Sequence, residues 1–259
     1  MPAVASVAAL LGAAAEFAAG DLHLAVELTA LAAARRSLES SGLLLLGEVH
    51  GVQENPLLIG ALIGALGITS LALEWHEELA PVVDTFVATG SLKDHELLWT
   101  GDGRLTAGHL ALLADRAGTG QLRLILFDGT IGADWSWTKR DHAMATRLLA
   151  HSEPDARTLV VAGNAHTATS ETDLGVPMGA WLAAVRPGVR EVQVRYRGGA
   201  FYNNELRQFR RAGWGREHPP LLTLRHGELV LSLSSATEAV VPQRPSQSLI
   251  DTPRASKRP

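Results

Sequence analysis

Short apolar runs alternate along the chain with segments in which apolar residues recur at helical spacing. The clearest run is the leucine stretch 43–46, which ends at Gly47. A short apolar run that is bounded by glycine is typical of a strand buried on both faces. Similar runs follow at 69–74, 122–127 and 158–162. The pattern therefore predicts buried strands at these positions along the chain.

Helical spacing fills the intervals between these strands. The first such helix is predicted to begin at a capping residue, Asp21, and to end before the turn at Gly42. The residues ahead of it are rich in alanine, the strongest helix former. Helices are predicted at 1–20, 21–40, 57–66, 77–88, 91–99, 106–117, 139–151 and 177–185.

The order of these elements predicts the fold class. Strands that alternate with helices form a mainly parallel sheet with helices on both faces. Residues 191–196 alternate between apolar and polar, which is typical of a half-exposed strand. The stretches 221–224 and 229–233 flank a polar turn and predict a hairpin. We therefore expect an α/β fold: a mainly parallel central sheet flanked by helices, with a C-terminal antiparallel hairpin.

Domain boundaries follow from composition. Residues 1–241 are predicted to form a single α/β domain, and 242–259, rich in Pro, Ser, Gln and Arg, a disordered tail. The first positively charged side chain is Arg35, so the chain lacks the basic start of a secretory signal. No apolar run approaches the length of about 18 residues that a membrane span needs. A cytoplasmic location without membrane contact is expected.

Composition excludes several functional classes. The net charge of −4 argues against a nucleic-acid or anionic-membrane partner. The absence of cysteine excludes disulfides, thiolate catalysis and cysteine-based metal sites. The chain has neither the Gly-x-Ser-x-Gly elbow of serine hydrolases nor a glycine-rich nucleotide loop. Serine catalysis and nucleotide binding are therefore not expected.

Polar side chains recur where the buried strands end. Residues two apart in an extended chain point to the same side, so an acid or amide and a following histidine aim into one crevice. The carboxyl ends of parallel strands share one edge of the sheet, where ligands bind. A single histidine after a strand is usually a solvated loop residue, but recurrence at several strand ends favours a binding or catalytic site. The residues concerned are Glu48, His50, Glu74, His76, Asp128, Asn164 and His166.

These residue types support two kinds of chemistry. A histidine oriented by a carboxylate can act as a general base on water, and Arg140 can stabilise an oxyanion or bind a substrate carboxylate. Alternatively, histidine and glutamate ligands can hold a divalent transition metal that activates water.

The indoles of Trp135 and Trp137 either line a substrate cleft or anchor their loop to the sheet. Residues 202–211 are predicted to be a solvated helix or loop.

Several of these stretches together resemble the erythromycin esterase / ChaN-like / Tiki–TraB superfamily. The resemblance extends over residues 42–200. It depends on Leu46-Gly-Glu-Val-His-Gly51, Leu73-Glu74, Trp99-Thr-Gly-Asp-Gly-Arg104, Phe127-Asp128, Arg140-Asp-His-Ala-Met-Ala145 and Gly163-Asn-Ala-His-Thr167. The resemblance implies that the predicted domain is of the erythromycin esterase/ChaN-like type.

The resemblance also implies roles for individual residues. Erythromycin esterases hydrolyse a macrolactone with water that a histidine activates. By motif, His50 would be that base, Glu48 and Glu74 the carboxylates, Arg140 the arginine and His166 the second histidine. The esterases have two residues between this glutamate and histidine, whereas this chain has one, which is closer to the ChaN-like branch. Tiki-type relatives are metal-dependent peptidases, and residues 163–166 have their Gly-x-x-His form.

Three hypotheses follow, in this order. The first is a hydrolase without cofactor that cleaves an ester, lactone or peptide bond of a small-molecule or peptide substrate in natural-product metabolism. In it, His76, Asp128, Asn164, Trp135 and Trp137 bind substrate. The second is a metal-dependent peptidase, and the third is a non-catalytic haem-binding module. The ligands of the metal would be Glu48, His50, Glu74 and His166.

Overall fold

A computed structural model describes residues 3–17, 22–117, 122–130, 135–210 and 218–244. The strands are β1 Ala3–Val4, β2 Ala25–Val26, β3 Leu43–Glu48, β4 Ser70–His76, β5 Arg123–Asp128, β6 Thr158–Gly163, β7 Arg190–Tyr196, β8 Ala200–Asn203, β9 Glu205–Gln208, β10 Leu221–Arg225, β11 Glu228–Leu233 and β12 Val241–Pro242. The helices are α1 Val7–Glu16, α2 Leu28–Ser41, α3 Glu54–Leu66, α4 Ala80–Thr89, α5 Ala107–Ala117, α6 Trp137–His151, α7 Asn164–Thr167 and α8 Met178–Val185. Short 3-10 helices lie at Glu77–Leu79 and Glu96–Trp99.

One eight-stranded sheet organises these elements. Its strand order is β2-β10-β11-β7-β3-β6-β4-β5. Every neighbouring pair from β11 to β5 is parallel, and β10 is antiparallel to β11. The predicted α/β fold, with a mainly parallel central sheet and a C-terminal antiparallel hairpin, is therefore confirmed.

The leucine run of β3 is explained by burial on both faces of the sheet. Leu44 and Leu46 belong to a hydrophobic cluster that includes residues of α2, α3, α4 and α5. Leu43 and Leu45 belong to a second cluster, with residues of α6 and α8. Because alternate side chains of a strand point to opposite faces, a strand covered on both sides has to be apolar at every position.

The connections open a crevice at the carboxyl end of the sheet. The chain leaves β3 for α3, which packs with the first cluster, and leaves the neighbouring β6 for α8, which packs with the second. Where successive connections diverge to opposite faces, the strand ends are left uncovered, and ligands bind there in open α/β sheets. The polar residues that follow β3, β4, β5 and β6 lie at this edge.

Two sequence predictions are wrong in detail. Helix α2 begins at Leu28 instead of Asp21, because Ala25 and Val26 pair with β10 as a short edge strand. The segment predicted to be a solvated helix or loop forms the antiparallel hairpin of β8 and β9, with Asn204 at φ 56° in its turn. The proposed cap, Asp21, lies outside the described residues.

The described structure also extends beyond the predicted boundary at residue 241. Strand β12 pairs with β1, and the backbone N–H of Gln243 donates to the carbonyl of Val4 at 2.8 Å. Arg244 then forms an ion pair with Asp94 at 2.6 Å. The rest of the predicted tail, 245–259, lies outside the described residues.

Within the described ranges, no helix combines the length and the apolar character required to cross a membrane.

Candidate active site

The carboxyl ends of four neighbouring strands bring the predicted polar residues together. Glu48 ends β3, Glu74 lies near the end of β4 and Asp128 ends β5. His166 lies in α7, directly after β6. All four side chains are buried. Buried charged groups need partners, so the contacts among these residues determine what the cluster can do.

His50 lies between two of the carboxylates. Its Nδ1 is 3.2 Å from Oε1 of Glu48, and its Nε2 is 3.5 Å from Oε2 of Glu74. A side chain at position 163 would hinder this approach, because a Cβ there would lie 3.0 Å from His50 Nε2. Glu74 is held in turn by the backbone N–H of Gly163 at 2.8 Å. The imidazole is therefore fixed with both nitrogens facing acidic groups.

These surroundings set the charge of His50. Burial alone would lower the pKa of His50, but hydrogen bonds to Glu48 and Glu74 and their charges outweigh it and raise that pKa to about 10. Burial raises the pKa of Glu48, whereas His50 and Arg140 overcome the same effect at Glu74 and hold its pKa well below the usual range. At neutral pH, His50 is therefore an imidazolium.

We expect an NMR titration to show His50 still protonated at pH 8, with a midpoint of about 10. The folded pKa lies above the value of about 6.5 in an unfolded chain. The charged form consequently contributes stability that is complete below pH about 6.5 and is lost as the pH rises towards 10. A midpoint near 7 would show that the two carboxylates do not hold the proton.

Arg140 connects the acidic groups to the second histidine. Its Nη2 donates to Oε1 of Glu74 at 2.7 Å and to Oδ2 of Asp128 at 2.8 Å. Its Nη1 lies 2.9 Å from Nε2 of His166. The guanidinium is thus the centre of the cluster, as expected for a group with several donors in a fixed plane.

The hydrogen-bond partners of His166 determine which of its ring nitrogens carries the proton. A guanidinium can only donate, so Nε2 of His166 accepts the bond from Arg140. The other ring nitrogen, Nδ1, lies 2.5 Å from Oδ1 of Asp141 and donates to it. His166 is therefore neutral, with its proton on Nδ1 and its lone pair on Nε2, in a carboxylate–histidine dyad.

Three residues of the cluster were not predicted from the sequence: Asp102, Arg104 and Asp141. Arg104 Nη1 donates to Oδ2 of Asp128 at 2.5 Å and lies 3.6 Å from Glu74 Oε1, so it shares two acceptors with Arg140. Asp102 orients Arg104 through its Nε at 2.8 Å. The stretch Trp99–Arg104 is one of the motifs that carry the resemblance, and its turn, with φ of 70° at Gly101 and 80° at Gly103, brings Arg104 to the site.

Backbone contacts fix the loop that carries His50 relative to the turn that carries Arg104. Gly51, at φ 75°, donates its N–H to the carbonyl of Gly103 at 3.0 Å and accepts from the N–H of Tyr202 at 3.0 Å. A Cβ at position 51 would lie 1.8 Å from the carbonyl oxygen of Tyr202. Only glycine at position 51 therefore allows the loop that carries His50 to pack against the backbone of Tyr202, and a Cβ at position 103 would likewise lie 2.6 Å from the backbone nitrogen of Gly51.

The residues predicted to bind substrate lie in different places around the cluster. His76 Nε2 is 3.1 Å from the hydroxyl of Thr130, and His76 lines a cavity of about 60 Å³ together with Asp128 and Arg104. Asn164 is exposed at the start of α7. Trp137 lies over the ring of His166, with centroids 5.2 Å apart, and Trp135 contacts Trp137 edge-on at 5.6 Å.

Two buried acceptors in the cluster have no hydrogen-bond partner among the described residues. They are Oε2 of Glu48 and Oδ1 of Asp128. Buried oxygens are normally bonded, so these are positions at which a hydroxyl or amide of a ligand can donate.

The predicted metal ligands do not fit a metal ion as they are arranged. Arg140 lies between Glu74 and His166 and bonds to both, so a cation already fills the space between them. Over the part of the chain that the structure describes, no group of three or more acidic or histidine side chains has a metal-binding arrangement. Haem ligation meets the same difficulty, because both nitrogens of His50 and of His166 face other side chains.

Comparisons with known proteins establish the fold. A Bacillus cereus protein superposes with a TM-score of 0.59 at 10% identity, covering 80% of this chain and 91% of its own. A protein described as a succinoglycan biosynthesis protein gives 0.58 at 11% identity, with the same coverage. Both similarities concern the fold alone.

A lower similarity relates the chain to part of a toxin. The C-terminal region of Pasteurella multocida toxin, described as having a thiol-protease-like catalytic triad, gives a TM-score of 0.46 at 10% identity, covering 70% of this chain and 26% of the toxin chain. No activity follows for this chain from a match at that level. No model of a protein family matches the chain, and no curated protein is significantly similar to it.

Proposed function

We propose that this protein is a hydrolase that cleaves an ester, lactone or peptide bond with water activated by a histidine. One observation carries the proposal: a cationic and a neutral histidine face the two oxygens of the Glu74 carboxylate, with Nε2 of His50 3.5 Å from Oε2 and Nε2 of His166 3.7 Å from Oε1. His50 is cationic, whereas Nε2 of His166 carries no proton and accepts a hydrogen bond from Arg140. A histidine that holds a proton beside one whose Nε2 can accept a proton supplies the acid and the base that such a reaction needs.

The geometry supports a division of roles that differs from the one predicted. The sequence suggested His50 as the base, but an imidazolium has no lone pair to accept a proton. We assign the base to His166, which Asp141 orients, and the acid to His50, whose Nε2 is held only loosely by Glu74 at 3.5 Å. Hydrogen bonds of this kind tighten or exchange when substrate binds, so the bond from Arg140 to His166 does not exclude the role.

In the proposed reaction, one histidine gains a proton and the other loses one. Water attacks the carbonyl carbon and passes a proton to Nε2 of His166. The negative charge on the carbonyl oxygen is stabilised by the guanidinium groups of Arg140 and Arg104. The bond to the leaving oxygen or nitrogen breaks as that atom takes the proton from His50. Proton exchange with solvent restores both histidines.

The sequence resemblance supports this class of reaction. The residues that it implies for an erythromycin esterase all lie in one cluster: Glu48, His50, Glu74, Arg140 and His166. A small-molecule or peptide substrate from natural-product metabolism, and a cytoplasmic location, remain part of the proposal.

The test is hydrolysis of simple alkyl and aryl esters, lactones and blocked peptides in ¹⁸O-labelled water. We expect one labelled oxygen in the acid product and an unchanged rate after treatment with a chelator. Loss of activity on chelation, restored by a divalent metal ion, would favour the metallopeptidase hypothesis. A folded protein that hydrolyses none of these substrates would contradict the proposal.

A further inference from the structure

Two tryptophans form an exposed ledge at the mouth of the site. Trp135 is 50% exposed and Trp137 is 36% exposed, whereas Trp75 and Trp99 are buried. Their rings meet edge-on, with centroids 5.6 Å apart and planes at 61°. Indoles carry a large apolar surface, and leaving two of them together in water is unfavourable. Trp135 and Trp137 are called the tryptophan ledge below.

The ledge is continuous with the candidate active site. The ring of Trp137 lies 5.2 Å from that of His166, at an angle of 33°. From there the ledge extends outward to Trp135. The turn that joins Thr172 to Gly175 docks next to it, through the bond from the N–H of Val176 to the hydroxyl of Thr138 at 3.3 Å. That turn carries a further exposed apolar side chain, Leu174, which is 53% exposed.

The local backbone holds the ledge in place without using the outer faces of the rings. Ser136, between the two tryptophans, caps α6 by accepting a bond from the N–H of Lys139 at 3.2 Å. The cap fixes where the helix begins and therefore where both indoles project. An indole that anchored its loop to the sheet would be buried, so the exposure of Trp135 favours a ligand-binding role over an anchoring role.

We propose that the tryptophan ledge binds a ring or other flat apolar group on the acyl side of the substrate. The inference rests on the proposed function, which gives His166 the attacking water and His50 the leaving group. Trp137 covers His166, and among the described residues no ring contact joins it to His50, so the ledge is placed beside the acyl portion. A flat ring can stack there while the carbonyl oxygen faces Arg140.

The experiment compares two esters of the same alcohol, an acetate and a cinnamate. We expect the wild-type protein to prefer the cinnamate, and Trp135→Ala to lower the cinnamate-to-acetate ratio of kcat/KM by about 3- to 10-fold, the size of one aromatic contact. Val185→Ala is the matched control, because it removes another exposed apolar side chain, 62% exposed in α8. The control is expected to keep the wild-type ratio. An unchanged ratio in Trp135→Ala would overturn the proposal.

A binding measurement separates this proposal from the reaction. Free cinnamate is titrated into the protein while the indole fluorescence is followed. Weaker binding by Trp135→Ala than by Val185→Ala supports the ledge even if neither ester is hydrolysed, an outcome that would contradict the hydrolase alone. Equal binding by both variants would overturn the ledge and leave the hydrolase to its own test.

Discussion

Replacing His166 with glutamine is expected to lower kcat for ester hydrolysis by about 10²- to 10⁴-fold, the contribution typical of a positioned general base. Glutamine keeps a polar group beside Asp141 and Arg140 but cannot accept a proton from water. KM is expected to change little, because the proton moves only as the transition state forms. Steady-state kinetics, with thermal denaturation as a check on folding, measure the effect. A variant with wild-type kcat would remove His166 from the mechanism.

The matched variant His50→Gln identifies the acid. A phenolate leaves without help, whereas an alkoxide needs a proton from the enzyme. We therefore expect His50→Gln to slow alkyl esters far more than phenyl esters, while His166→Gln slows both alike. If His50→Gln slowed both esters equally, the sequence prediction of His50 as the base would be preferred.

Arg140→Met is expected to lower the free energy of unfolding at neutral pH by about 3–5 kcal/mol, the cost of removing one partner from a buried ion pair. Glu74 is 4% exposed and Asp128 is 6% exposed, and each loses a bond from the same guanidinium. Methionine keeps most of the side-chain volume, so the change isolates the charge. Denaturant unfolding measures the loss.

Arg147→Met is the control for this variant, because Arg147 lies in the same helix but pairs with the exposed Glu77 at the surface. Exposed pairs contribute about 0–1 kcal/mol. The pH dependence gives a second check. Removing Arg140 raises the pKa of Glu74 in the folded state, so the folded variant binds a proton more readily than the folded wild type. The difference in free energy of unfolding between the two proteins is therefore expected to decrease as the pH falls. Equal losses in both variants would contradict the buried network.

The sequence was sufficient to predict the site residues that follow strands. Glu48, Glu74 and Asp128 lie at the ends of apolar runs and His166 shortly after one, and in a parallel sheet those positions share an edge. The strand order was not needed for this prediction. It became important only for the contacts, because β6 lies between β3 and β4 and brings Gly163 against Glu74 and His50.

Other features of the candidate site depend on tertiary contacts that the pattern of apolar residues does not determine. Arg104 reaches the site from a loop that is neither strand nor helix, and its direction is set by two glycines with positive φ. Asp141 adjoins Arg140 in the sequence, but its bond to His166 depends on how α6 is placed against β6. The charge of His50 likewise required the positions of both glutamates. The sequence therefore predicted Glu48, His50, Glu74, Arg140 and His166 as members of one cluster, but not which histidine is cationic.

The shared guanidinium of Arg140 also constrains how this site can evolve. Glu74, Asp128 and His166 all accept a hydrogen bond from the same guanidinium, so a substitution at any of them changes the strength of the other contacts. The effects of mutations within the cluster are consequently epistatic, and neutral drift at a single position is obstructed. Related sequences that differ here should carry coordinated replacements, with an acid and an arginine lost together.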